Sequence, residues 1–206
     1  MLNILKENYF FAVVRGRDEN DAKEIARYAI KGGIRNIEIT FSTPNAPQVI
    51  HDLSNEFIGC EDVVIGAGTV MNADLAKQAI DAGAQFLVSP HFCKSIQEVA
   101  TLNHRLYFPG CATATEVVRA MEAGCPIIKV FPGGLVGPSF IKDIHGPIPQ
   151  VELMPSGGVS VKNVAAWKQA GACAVGIGSA LAARVSEDGY ESVTEIAKEF
   201  VKAIGE

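Results

Sequence analysis

The sequence predicts an α/β protein of the (β/α)8 barrel class, and three observations predict it. First, a short apolar run, a polar break and an amphipathic segment ending in glycine follow one another through all 206 residues. Strict alternation of strand and helix implies parallel strands, and eight such units close into a ring that leaves no unpaired edge. Second, Ala29-Ile30-Lys31-Gly32-Gly33, Ala79-Ile80-Asp81-Ala82-Gly83, Ala120-Met121-Glu122-Ala123-Gly124 and Lys168-Gln169-Ala170-Gly171 each end a helix on glycine just before an apolar strand. Their last glycines lie 50, 41 and 47 residues apart (83−33, 124−83, 171−124), two strand–helix units per step. Third, the length suits one barrel domain, residues 1–206, at the short end of the TIM barrel range. A doubly wound open sheet is the alternative, but its dinucleotide loop is missing, because Gly66-Ala67-Gly68 lacks the third glycine at the expected place.

The elements justify themselves in order. Phe10 to Val14 is the first strand, and Asp18 caps a helix running to about Lys31. Ile37 to Thr40 is the second strand; Asn45-Ala46-Pro47 opens a helix to about Phe57. Val63 to Thr69 is the third strand, with a helix from Asn72 to Ala82, and Phe86 to Pro90 is the fourth, with a helix from Lys94 to about Leu102. Leu106 to Pro109 is the fifth, and Thr113 begins the next helix with a capping box to Glu116. The sixth strand lies in Pro126 to Gly134, followed by a short helix from Pro138 to Ile144. Val151 to Pro155 is the seventh, with a helix from Val161 to Ala170; Ala174 to Ile177 is the eighth, and a helix from Tyr190 to Ile204 follows.

Composition narrows the function classes. An apolar fraction of 48% against 20% charged residues marks a well-packed soluble globule. No apolar run approaches the roughly 20 residues of a bilayer span, and Met1 to Glu7 lacks the layout of a signal peptide, so a cytoplasmic location is expected. A net charge of −5 without any Lys/Arg cluster speaks against nucleic acid as partner. The five cysteines are odd in number, widely spaced and never paired as C-x-x-C, which argues against a disulfide framework and a thiolate zinc site alike.

Lys129 is the residue that does not fit its surroundings. It sits in Ile127-Ile128-Lys129-Val130-Phe131, a run that otherwise reads as a covered parallel strand, and alternation puts it on one face with Ile127 and Phe131. An ammonium group buried there loses solvation, and the protein lowers that cost by letting the amine shed its proton, which makes it a nucleophile. The competing reading is that Lys129 snorkels to the strand end or pairs with a carboxylate.

In a barrel, function gathers at the C-terminal ends of the strands. Those ends supply three ionisable groups beside apolar strands: Arg15, Glu38 and Lys129. Glu38, between Ile37 and Ile39, meets the same desolvation as the lysine, and the two answer each other electrostatically; a structural hydrogen-bond acceptor is the competing role. After the seventh and eighth strands, Ser156-Gly157-Gly158 and Gly178-Ser179 have the composition of phosphate loops, in which glycine amides and a helix N-terminus replace basic side chains. Tight turns alone would also account for these glycines.

An amine nucleophile, a carboxylate acid/base and a phosphate cradle together suit a class I aldolase acting on a phosphorylated keto acid. Gly33-Ile34-Arg35-Asn36-Ile37-Glu38-Ile39-Thr40, Ile65-Gly66-Ala67-Gly68-Thr69-Val70, Gly83 to Pro90, Ile128-Lys129-Val130-Phe131-Pro132 and Pro155-Ser156-Gly157-Gly158-Val159 resemble, in order and over nearly the whole chain, the motifs of the 2-keto-3-deoxy-6-phosphogluconate (KDPG) aldolase family. That family includes 4-hydroxy-2-oxoglutarate (KHG) and 6-phosphogalactonate aldolases. The resemblance implies Lys129 as the Schiff-base lysine, Glu38 as general acid/base, Thr69 as a contact to the keto-acid carboxylate, and Pro90 and Phe131 as apolar walls. It implies Ser156, Gly157, Gly158, Gly178 and Ser179 as the phosphate loops, no cofactor or metal, and a homotrimer. One departure stands out: several members carry an arginine four residues after the glutamate, where this chain has Ser42. Arg15 is expected to supply the positive charge instead, since its fork suits a carboxylate.

Two rival classes remain. Metal-dependent aldol chemistry needs ligands gathered at one place, whereas His51, His104 and His145 fall on helices or loops and only His91 lies at a strand's catalytic end. Another phosphate-binding barrel, such as a thiamine-phosphate synthase, or a non-catalytic phosphosugar module would keep the glycine loops without needing Glu38 and Lys129 together.

Overall fold

In the computed structural model, which describes residues 1–205, the chain forms a parallel (β/α)8 barrel. The strands are β1 (Phe10–Val14), β2 (Asn36–Thr40), β3 (Val64–Gly68), β4 (Phe86–Ser89), β5 (Leu106–Cys111), β6 (Ile128–Val130), β7 (Leu153–Pro155) and β8 (Val175–Ile177). The helices are α1 (Leu2–Asn8), α2 (Glu19–Lys31), α3 (Ala46–Glu56), α4 (Ala73–Asp81), α5 (Lys94–Leu102), α6 (Ala114–Glu122), α7 (Gly133–Val136), α8 (Ser139–His145), α9 (Val164–Gln169), α10 (Val185–Asp188) and α11 (Glu191–Gly205). Strands run in the order β7-β6-β5-β4-β3-β2-β1-β8. The seam between β7 and β8 is the sparsest, held by a single bridge of Ser156 with Gly176 and by the amide of Cys173 donating to the carbonyl of Leu153.

The expected strand cores all appear, with ends moved by at most two residues. The helix expected from Val161 begins at Val164, because residues 161–163 form a turn. Capping follows the sequence signals: Asp18 accepts from the amide of Asp21, Asn72 from that of Leu75, and Thr113 with Glu116 closes a full capping box. Each such cap contributes about 1 kcal/mol. Asn45 precedes α3 with φ 51° and without a side-chain cap; Pro47 in its first turn starts the helix instead.

Two cores hold the ring. The larger lies between the outer faces of the strands and the helices, where Ile37, Ile39, Leu87, Trp167 and Phe200 are buried. The smaller fills the barrel's lower interior with Phe11, Val64, Phe86, Phe108, Ile127 and Met154. Phe11 meets Phe86 and Phe108 edge-on at 5.3 and 6.2 Å, while Phe86 and Phe108 stack at 5.8 Å. Helix α1, absent from the expected elements, plugs the floor: Leu5 joins that core, and Asn36 donates from Nδ2 to the carbonyl of Leu5. Burying Leu5 contributes about 2 kcal/mol. The far, upper end of the barrel is left open for chemistry.

Candidate active site

Glu38 and Lys129 both point into the barrel above the phenylalanine layer. Glu38 pairs with Val13 on one side and Gly66 on the other, and Lys129 with Gly110 and Met154. Their exposures are 1% and 5%, and Lys129 Nζ stands 3.6 Å from Glu38 Oε1. That spacing is an ion pair, longer than a good hydrogen bond, and neither carboxyl oxygen has a hydrogen-bond partner among the described residues. A buried carboxyl without donors resists ionisation. Burial therefore pushes the Glu38 carboxyl above the usual carboxylate range, and the positive charges of Lys129 and Arg15 offset that rise only in part. The ammonium also sits 5.3 Å from the centroid of the Phe131 ring.

Glycines on β3 make room for this pair. A methyl built on Gly66 would lie about 2.5 Å from the ring of Phe86, and one on Gly68 would lie 2.6 Å from Glu38 Cγ and nearer still to Oε1. The carboxyl thus occupies space that any side chain at 68 would claim.

A cavity of about 520 Å³ opens over the pair at the C-terminal ends of the strands. Arg15, Thr69, Pro90 and Phe131 line it, and Ser156, Gly157, Gly178 and Ser179 line its other end. Gly157 has φ +83°, a region open to glycine, which bares the backbone of this turn. Gly158 (φ +75°) is not part of the lining; its missing side chain serves close packing, since a Cβ there would come within 2.7 Å of Gly134 Cα. Thr69 holds φ 55°, uncommon for a β-branched residue and typical of strain kept at functional sites.

Some of the walls carried no sequence signal. Val13, Val14, Ile25, Leu181 and Ala182 complete the cavity, the last two from the turn after β8. Tyr107 fixes the loop that follows β4: its hydroxyl donates to the carbonyl of His91 (2.9 Å), accepts from the amide of Cys93 (3.2 Å) and lies 2.5 Å from Ser89 Oγ. Pro90 is thereby held against the cavity. The only available hint in the sequence was a phenol in a covered strand, which buries its ring and must find partners for its oxygen.

Among the described residues no group of three or more His, Cys, Asp or Glu side chains converges as metal ligands, and His91 Nδ1 is buried without a partner. A second cavity, about 460 Å³, opens at the opposite end between the α3–β3 loop and the start of α1, and Glu61, Gln85 and Arg105 border it. No helix among the described residues is long and apolar enough to cross a membrane.

An amine and a carboxyl so placed equip a barrel enzyme to form an imine with a ketone and to move protons around it, the working set of a lyase that breaks carbon–carbon bonds. The family model described as KDPG and KHG aldolase matches residues 1–196, and the chain belongs to that family of aldolases. The 2-dehydro-3-deoxy-phosphogluconate aldolase of Treponema pallidum (strain Nichols) is 40% identical over 149 residues, covering 71% of this chain and 69% of its own. The 2-dehydro-3-deoxy-6-phosphogalactonate aldolase of Escherichia coli (strain K12) is 32% identical over 196 residues, covering 95% and 94%. Among solved structures, the KDPG aldolase of Legionella pneumophila with pyruvate captured as a covalent carbinolamine superposes with a TM-score of 0.84 at 26% identity, covering 95% of each chain.

Proposed function

We propose that this aldolase cleaves 2-keto-3-deoxy-6-phosphogluconate to pyruvate and glyceraldehyde 3-phosphate through a Schiff base on Lys129, and 4-hydroxy-2-oxoglutarate to pyruvate and glyoxylate as a second reaction. The reading is carried by the 3.6 Å approach of two nearly inaccessible ionisable groups, Lys129 and Glu38, beneath a cavity that ends in a glycine-rich cradle.

Lys129, once its ammonium has given up a proton, adds to the C2 ketone, and loss of water leaves an iminium. Glu38, directly or through one water, takes the proton of the C4 hydroxyl as the C3–C4 electron pair moves into the iminium. The aldehyde departs, the resulting enamine is protonated at C3 by the same carboxyl, and water hydrolyses the imine to free pyruvate and Lys129. No cofactor is required, because the iminium is itself the electron sink. Arg15 and Thr69 face the keto-acid carboxylate, Phe131 and Pro90 the apolar body, and Ser156, Gly157, Gly178 and Ser179 the phosphate, with Gly158 shaping their turn. A single barrel domain and a cytoplasmic location belong to the same proposal, as does homotrimeric assembly, the last on the strength of the family resemblance.

Borohydride reduction in the presence of pyruvate is expected to leave a stable adduct on Lys129, read by peptide mass. An unmodified Lys129 at saturating pyruvate would remove the mechanism. The phosphogalactonate epimer is the second reading, favoured by the E. coli relative that aligns over 95% of this chain. Rates on the two C4 epimers decide between them, the gluconate compound being expected to have the higher kcat/KM.

A further inference from the structure

Arg15 does not stand alone at the mouth of the cavity. Its Nε donates to Ser42 Oγ at 2.7 Å. Ser42 Oγ in turn lies 2.9 Å from Thr40 Oγ1, and Thr40 Oγ1 donates to the carbonyl of Val14 at 3.0 Å. Each hydroxyl has one hydrogen to give. Thr40 spends its own on Val14, so the hydrogen between the two hydroxyls belongs to Ser42. The result is a one-way relay, from Arg15 through Ser42 and Thr40 to the backbone of the residue that precedes Arg15.

The geometry has two effects on the guanidinium. Nε is the atom occupied, and Nη1 and Nη2 make no hydrogen bond or ion pair among the described residues, so two donors stay available side by side for a carboxylate. The segments carrying the two side chains are also stitched together, because the amide of Gly16 donates to Thr43 Oγ1 at 3.1 Å. A long, exposed arginine otherwise loses much rotamer freedom on meeting its ligand; a side chain already held through Nε loses less.

We propose that Ser42, backed by Thr40, is a positioning residue that aims the Arg15 fork at the carboxylate of the keto-acid substrate. The inference rests on the reading of Arg15 as carboxylate anchor and deepens it.

The test measures kcat and KM for the cleaved keto acid, and the half-saturating pyruvate concentration in borohydride trapping, for wild type, Ser42→Ala, Ser42→Thr, Arg15→Ala and the double variant Arg15→Ala/Ser42→Ala. Ser42→Ala is expected to raise KM and the pyruvate requirement about fivefold with kcat nearly unchanged, the size of one ordinary hydrogen bond. Ser42→Thr, which keeps the hydroxyl, is expected to restore both. In the Arg15→Ala background, loss of Ser42 is expected to cost nothing further. The inference is overturned if Ser42→Ala leaves KM unchanged while Arg15→Ala raises it, or if Ser42→Ala costs as much without Arg15 as with it. Failure of the underlying reading looks different: wild type is not trapped, or Arg15→Ala does not alter KM, and the relay then has nothing to aim.

Discussion

Lys129→Met is expected to abolish cleavage, lowering kcat by on the order of 10⁴-fold or more, because no other lysine among the described residues lines the cavity to form the imine. The variant should nevertheless fold. Removing one member of a buried pair commonly costs about 3–5 kcal/mol when a charge is left behind. Here the partner that remains is Glu38, a carboxyl that burial already inclines to hold its proton, so it can become neutral at much smaller cost. Methionine fills a similar volume beside Phe131 and Met154. A circular-dichroism melt close to that of wild type, together with the absence of any borohydride adduct, is the expected pair of results. Retained cleavage in this variant would place the nucleophile elsewhere.

Glu38→Gln is expected to lower kcat by about 10³-fold, within the range that a positioned acid/base contributes. The amide keeps the shape of the side chain between Gly68 and Lys129 but can neither take the C4 proton nor return one to the enamine. A pH signature accompanies the loss. Burial raises the Glu38 pKa above its ordinary 4.5, so on acidification this group takes up its proton earlier than an exposed glutamate does. The form that removes the C4 proton is the ionised one. The acid limb of the kcat/KM profile in wild type is therefore expected to lie above the ordinary glutamate range and to be missing from what activity Glu38→Gln retains. An acid limb of the same midpoint in both proteins would assign it to another group.

The barrel was legible because its pattern is local: buried parallel strands are apolar runs, and glycine after four of the helices marks the return. Lys129 and Glu38 were legible for the converse reason, as ionisable groups standing where local pattern called for apolar ones. What escaped depends on contacts made through space. Helix α1 is two turns long, and its value lies in Leu5 and the bond from Asn36, a partner 31 residues away. Ser42 could be read only as a missing arginine, since its partner Arg15 is 27 residues earlier in the chain. Gly158 shares its composition with Gly157, yet packs on Gly134 outside the cavity lining, a distinction that requires coordinates. Leu181 and Ala182 come from a turn without periodicity, which marks no face as inward.

Position 68 on β3 puts a further constraint on this molecule. The main chain there is the seat against which Glu38 rests, so even the smallest substitution begins with an eviction: alanine would need the place the acid already fills. A strand that donates no reacting group is in this way held to glycine by its neighbour, and a single added carbon would displace the acid while every residue of the chemistry remained intact.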